Sequence, residues 1–302
     1  MKKFLIKSTI FLIVILASIY FVFLQADGKS DPFYKRFTSS IQSSLILGTS
    51  KAAQGLRPSV LKEQLGRSDI YNFSFTVAHS PYGPAYLQSI QQKLNPDTKD
   101  GIFIITVDSW SISSDGIDPD DPQLFDEKNT FMNSNSFNSN PNIHYLLNYY
   151  NDNYIKLLMN FSNMDLHDDG WLEVSVNIDS TRVNNRIDQE EVDGFKKIRS
   201  FNFSETRLGY LQKTIELLKQ HGKVYLVRLP VHPKIAQVEE KLLPEFNSII
   251  ENLSKKEAVP YFDMAPLNSR YSYTDGNHLY KDSATEVSLK LAQWIKETEK
   301  LH

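Results

Sequence analysis

Short apolar runs rich in β-branched and aromatic residues recur along this chain, separated by stretches of helical period. Gly101 to Val107 (GIFIITV) and Lys223 to Leu229 (KVYLVRL) are the strongest, nearly unbroken in the manner of strands covered on both faces. Ser44 to Gly48 (SLILG) is too short for a helix and is closed by glycine, while Ile70 to Thr76 (IYNFSFT) and Val259 to Asp263 (VPYFD) complete the set. Helical periods are read over Pro84 to Lys93, Glu205 to His221, Ile235 to Ser254 and Lys281 to Glu299. In the last of these, Val287, Leu289, Leu291, Ala292, Trp294 and Ile295 form a broad apolar face opposite lysines and glutamates. Strands alternating with helices predict a layered α/β domain around a central parallel sheet of about five strands. With 302 residues, 41% of them apolar, the chain can bury the core such a domain needs.

The alternation is interrupted from about 109 to 200, a stretch dense in Asn, Asp and Ser (MNSNSFNSNPN is the extreme). Connections are usually a few residues, so a segment of this length is expected to be a cap over the site or an insertion with structure of its own. Ile143 to Met159 reads as a helix within it, and Trp171 to Val176 alternates like a strand.

At the N-terminus, Lys2, Lys3 and Lys7 precede an uncharged apolar run reaching Gln25. With Phe4 to Ile6 the run has roughly the 20 residues that cross a bilayer as a helix. Lysines at its start favour a cytoplasmic N-terminus, which places the rest of the chain on the extracytoplasmic side, periplasmic or cell-surface. A cleaved signal peptide has a shorter apolar region and an Ala-x-Ala-like site, for which Leu24-Gln25-Ala26 is a poor match. A buried core helix is the remaining alternative. The organisation read from sequence is therefore an anchor over 1–26, a polar juxtamembrane stalk over 27–43 and an α/β domain over 44–302.

A net charge of −3 speaks against nucleic acid as a partner, and the absence of cysteine removes thiolate catalysis, Cys-based zinc sites and disulfides. Ser50 is a candidate nucleophile: Gly48-Thr49-Ser50 follows a strand and opens a helix, where backbone N–H groups can hold an oxyanion. His278 is the candidate base, just ahead of the last helix, and Asp275 lies three residues before it, so one loop turn can aim its carboxylate at the imidazole. Alone, each motif can be a turn or a helix cap; their order at the two ends of an α/β pattern makes the case.

This pairing of a Gly-x-Ser turn after the first strand with an Asp-x-x-His loop before the last helix resembles the SGNH/GDSL hydrolase superfamily. The resemblance covers about 44–108 and 223–295. It implies a flavodoxin-like three-layer sandwich, a serine esterase or O-acyltransferase activity and no cofactor. Gly48-Thr49-Ser50 stands where that family has Gly-Asp-Ser, and Asp275 and His278 match its final block. For its second block the resemblance implies a further oxyanion donor, for which Gly83 and Asn72 are candidates. After the third strand Val107-Asp108-Ser109-Trp110 replaces the family's Gly-x-Asn-Asp. The layout is similar to that of membrane-anchored DltD-like and alginate-acetylation-like envelope proteins. It implies an acylated cell-surface glycan or lipid-linked polymer as substrate, and a membrane-bound acyltransferase as partner. The alternative reading is an inactive SGNH-like binding or assembly subunit of a membrane glycan-modifying complex.

His79, His232 and Arg228 fall at strand ends, the edge where doubly wound sheets place ligands. Arg228, charged within an apolar strand, is read either as a binder of an anionic substrate group or as the partner of a structural carboxylate. The histidines lack metal-ligand spacing, so no metal is expected. Asp115 to Asp121 lacks calcium-loop spacing and reads as a solvated loop.

Overall fold

The computed structural model describes all residues except 136, 160–162, 177–178 and 301–302. It opens with α1 (Lys2–Phe23) and a short α2 (Tyr34–Thr38). The first half of the domain comprises β1 (Ser44–Leu47), α3 (Ser50–Gly55), α4 (Pro58–Leu65), β2 (Ile70–Asn72), α5 (Pro84–Lys93) and β3 (Gly101–Thr106). The long middle stretch carries β4 (Ser113–Asp115), α6 (Ile143–Asn148), β5 (Met164–Leu166), β6 (Leu172–Val174) and α7 (Ser180–Lys197), and β7 (Phe201–Phe203) follows it. The second half comprises α8 (Glu205–Lys219), β8 (Gly222–Arg228), α9 (Pro233–Leu242), α10 (Phe246–Glu257), β9 (Tyr261–Asp263) and α11 (Lys281–Lys300).

One parallel sheet of five strands, in the order β2-β1-β3-β8-β9, organises the domain. Successive side chains of a strand point to opposite faces, so each central strand feeds two cores. Leu45, Leu47, Phe103, Ile105, Val224 and Leu226 meet Ile90 of α5, Ile215 of α8 and Ile250 of α10 on one face. Ile46, Ile102, Ile104, Tyr225 and Val227 meet Ala52 of α3, Leu61 of α4 and Leu291 of α11 on the other. The fold is the expected three-layer α/β sandwich.

Several local expectations are corrected. The helix read over Ile235 to Ser254 is two helices, because Pro244 can neither donate its N–H nor sit inside a helix without clashing. The helix read over Ile143 to Met159 stops at Asn148; Asp152 accepts the Asn153 N–H (2.7 Å), a local bond that competes with the helix, and only a 3₁₀ turn at Tyr154–Leu157 follows. The edge strand β2 ends at Asn72 rather than Thr76, although Phe73 and Phe75 still donate to Ile46 and Gly48.

The middle stretch is partly interior. Ile112, Phe131, Met132, Tyr145 and Leu146 belong to the larger core, and β4 pairs antiparallel with β7. Helix α1 is long and apolar enough to cross a membrane, and none of its apolar window is buried in the domain. Residues 27–43, read as a stalk, are packed into the domain instead: Tyr34 and Phe37 are buried, and the buried Arg36 guanidinium donates to the Ser74 carbonyl (2.6 Å) and the Gly170 carbonyl (2.9 Å). Those two aromatics and an internally satisfied arginine give a polar-looking segment a buried face.

Candidate active site

Strand β1 delivers the chain into a turn that only glycine can make. Gly48 has φ +142°, and a Cβ there would run into Thr106 Oγ1 on the neighbouring β3. The turn is braced by Ser80 Oγ donating to the Gly48 carbonyl (2.7 Å) and by the Gly48 N–H donating to the Tyr86 hydroxyl (3.1 Å). Thr49 is extended and Ser50 begins α3. The N–H groups of Ser50 and Lys51, first in the helix, have no carbonyl one turn back and sit at the positive end of its dipole.

The loop ahead of α11 folds around Asp275. One carboxylate oxygen accepts the N–H groups of Asn277 (3.0 Å) and His278 (2.9 Å); the other accepts from His278 Nδ1 (2.7 Å). With Nδ1 committed to Asp275, Nε2 is the acceptor for the Ser50 hydroxyl at 2.8 Å. Burial pushes the Asp275 carboxyl up, but its bond to His278, the imidazole's charge and the two loop N–H groups outweigh that and hold it below the usual carboxylate range. Residues 228 positions apart in sequence are thus joined into a carboxylate, imidazole and hydroxyl relay.

This relay borders a cavity of about 210 Å³. Helix α7 forms one wall through Glu190, Asp193, Gly194 and Lys197; α9 contributes Ile235 and Val238, and Val77, Asp108 and Trp110 join the serine turn (Thr49 to Lys51) and the Asn277-His278 loop in the lining. The insertion is therefore part of the site. It also clamps the histidine loop, since Arg186 Nε donates to the Thr274 carbonyl (2.7 Å) and Asn277 Nδ2 donates to Glu190 (2.9 Å). Burial, and then the nearby Asp275 charge, raise the Glu190 carboxyl.

A buried set of charges adjoins the cavity, with Lys51 and Asp108 in its lining. Lys51, next to the serine, pairs with Glu239 and with Asp108 (3.3 Å), and Thr49 Oγ1 donates to Asp108 (3.2 Å). Burial disfavours the Lys51 ammonium, yet the two carboxylates more than offset it and raise its proton affinity. Asp108 holds the place after the third strand where the family resemblance implies an asparagine. The ammonium compensates the charge of this buried carboxylate.

No protein-family model matches the chain, and no match is found among curated proteins. Solved structures that it resembles include an inhibitor-bound aryl esterase from M. smegmatis (14% identity, covering 84% of this chain and 99% of that one, TM-score 0.38). A carbohydrate acetylesterase from Sinorhizobium meliloti is similar at 11% identity over 84% of this chain and 99% of its own, with TM-score 0.38. An active-site mutant of a family two carbohydrate esterase from Clostridium thermocellum is similar at 7% identity over 85% and 64% of the two chains, with TM-score 0.40. Likeness at this level bears on neither activity nor substrate.

The remaining sequence candidates lie elsewhere. Gly83 caps α5, and a Cβ there would strike the Glu127 carboxylate; it is not part of the cavity lining. Asn72 is buried and committed, its amide donating to the Ala52 (2.8 Å) and Leu56 (3.0 Å) carbonyls at the end of α3, so it supports the serine helix from below. Arg228 pairs with Glu239 (3.5 Å), donates to Asn247 (3.2 Å) and lies over the Phe246 ring, which is the structural-carboxylate alternative. His232 caps α9. Lys51, Asp108, Trp110, Glu190 and Glu239 were not picked out from sequence as site residues; only Asp108, directly after a strand end, carried a positional signal.

His79 stacks on Phe131 (4.9 Å between ring centres) and bonds Thr76 Oγ1 (2.7 Å), apart from the cavity. Burial holds its imidazole down at about 4 from the ordinary 6.5. Between those values the unfolded chain binds the proton more tightly than the folded one, so stability falls as pH drops through the window. The loss from this residue is about 2 kcal/mol between pH 7 and pH 5. Melting curves at both pH values should show a smaller pH effect in His79→Phe; an equal effect in the two proteins rules this residue out as its source.

Proposed function

We propose that this chain is a membrane-anchored SGNH-like serine enzyme that makes or breaks an acyl ester on a cell-surface glycan or lipid-linked polymer. The observation that carries the reading is the relay in which Asp275, His278 and Ser50 follow one another at 2.7 and 2.8 Å. His278 Nε2 takes the Ser50 proton as Oγ attacks the acyl carbonyl, Asp275 stabilises the imidazolium, and the N–H groups of Ser50 and Lys51 face the developing oxyanion. The proton then passes to the departing alcohol oxygen, leaving an acyl-serine. Water as second acceptor gives an esterase, and a sugar hydroxyl gives an O-acyltransferase working beside a membrane-bound acyl donor. In this reading α1 spans the bilayer with its lysines in the cytoplasm and the domain outside.

Asp108 favours a second reading. A carboxylate stands where the resemblance implies an oxyanion-binding amide, as expected of an inactive SGNH-like subunit that binds a glycan or assembles a modifying complex. A fluorophosphonate probe applied to the full-length protein in detergent separates the two. Labelling that disappears in Ser50→Ala is the expected result, whereas an unlabelled intact chain leaves the binding subunit. Acyl transfer from p-nitrophenyl acetate to an added sugar, against release of free acetate, distinguishes transfer from hydrolysis.

A further inference from the structure

Apolar side chains normally turn inward, and a contiguous outward-facing set marks a contact surface. Ile143, Leu147, Ile155, Leu158 and Met159 are between 47% and 62% exposed, although Tyr145, Leu146 and Leu157 of the same short segments already fill the inward face. Segments 143–148 and 154–159 therefore turn apolar side chains outward as well as inward, among the exposed His144, Asn148 and Lys156, whereas a water-facing surface helix keeps its outer side predominantly polar. We propose that this outer face seats the domain in the surface of the lipid bilayer beside α1, an inference that rests on reading α1 as a membrane span.

The position of the patch selects its occupant. The Tyr154 ring lies 5.4 Å from that of Phe23, the last residue of α1, and Tyr150 stacks on Tyr154 at 5.5 Å. A helix of 22 residues is about 33 Å long, close to the roughly 30 Å of bilayer hydrocarbon, so its final turn lies at the hydrocarbon boundary. Tyr154 must then lie at that boundary as well, with Ile155, Leu158 and Met159 next to it. Tyrosines at this depth suit the membrane interface, where an apolar ring and a wet hydroxyl are both accommodated. No extended spacer lifts the domain clear, because Phe23, Ala26, Tyr34 and Phe37 run directly into its core. The lipid surface is thus continuous with the exposed face of α1, and the patch reaches it without a second protein.

The seat also fixes where the cavity stands. Tyr145 packs on Phe131 (5.2 Å), Phe131 on His79 (4.9 Å), and two residues before His79 lies Val77, in the cavity wall. The Tyr154 hydroxyl donates to the Leu146 carbonyl (2.7 Å), next to Tyr145, so packed contacts run from the bilayer contact to the loop that enters the cavity wall and hold the cavity at a set height above the membrane. A lipid-linked acyl acceptor or donor would be presented at that height.

The absence of cysteine makes a single introduced thiol a unique label. Full-length Ile155→Cys and Leu158→Cys proteins in nanodiscs carry an environment-sensitive fluorophore, with Glu286→Cys on α11 as the water-facing reference and Phe11→Cys as the marker of the span. Lipids bearing a nitroxide near the headgroup are expected to quench the labels at 155 and 158 at least twofold more than the label at 286, with blue-shifted emission. If aqueous iodide reaches 155 and 158 as readily as 286 while Phe11 is quenched by nitroxide at the bilayer centre, the seat is overturned and the anchor stands. Labels shielded from both quenchers mean that a second copy or another protein covers the patch, which also overturns the proposal. A Phe11 label beyond the reach of lipid quenchers removes the anchor and the seat together.

Discussion

Replacing Asp275 by Asn is expected to lower kcat about 10⁴-fold on p-nitrophenyl acetate, with little change in KM. The carboxylate oxygen facing His278 accepts from Nδ1 at 2.7 Å, which leaves Nε2 unprotonated toward Ser50. An amide nitrogen turned toward the ring donates instead. The imidazole answers by protonating Nε2, and the serine loses its base. The other carboxylate oxygen, which accepts the Asn277 and His278 N–H groups, is preserved as the amide carbonyl, so the loop keeps its shape. KM is spared because Asp275 lies behind the histidine and does not line the cavity. The wild-type carboxyl is held below its ordinary range, so an acid limb in the activity profile near neutrality does not come from Asp275. A loss of tenfold or less in steady-state kinetics of the full-length protein would show that the relay does not drive turnover.

What the sequence made legible follows from how local each signal is. Strands β1, β3 and β8 are central and covered on both faces, so their burial is written as continuous apolar runs. The edge strands β2 and β9 are shorter than their runs, since only one neighbour pairs with them. Ser50 and the Asp275 to His278 loop are legible because each lies in a turn with its own pattern. Glu190 comes from α7 of the insertion and Glu239 from α9, and the packing that brings these helices to the site is not encoded in any local spacing. Gly83 misled for a different reason. It is a candidate only through the second block of the family resemblance, whereas here the missing Cβ makes room for the Glu127 carboxylate. The stalk misled through composition, because polar neighbours obscured Tyr34, Arg36 and Phe37 as a buried face.

The Glu127 carboxylate belongs to a buried contact that ties the insertion to α8. Glu127 and Arg207 are both buried and bonded two-pronged, at 2.8 and 3.1 Å. The guanidinium also donates to the Tyr82 carbonyl (3.3 Å) and Ser114 Oγ (3.2 Å) and lies 3.7 Å over the Phe125 ring. One side chain of α8 thus gathers the start of the insertion, its 3₁₀ turns and the loop before α5. Glu127→Ala leaves a buried cation without its carboxylate and is expected to cost about 3–5 kcal/mol. At about 2–4 °C per kcal/mol for a domain of this size, the melting midpoint falls by about 6–20 °C. Glu127→Leu combined with Arg207→Met removes both charges and is expected to cost less than the two single changes added together. Circular dichroism melts of the full-length proteins in detergent supply the comparison, and additive losses would mean that the charges do not act as a pair. Gly83→Ala drives a methyl group into the same carboxylate without straining the extended backbone there, so it should lower the melting midpoint while leaving a folded protein at 25 °C with its Ser50 reactivity intact.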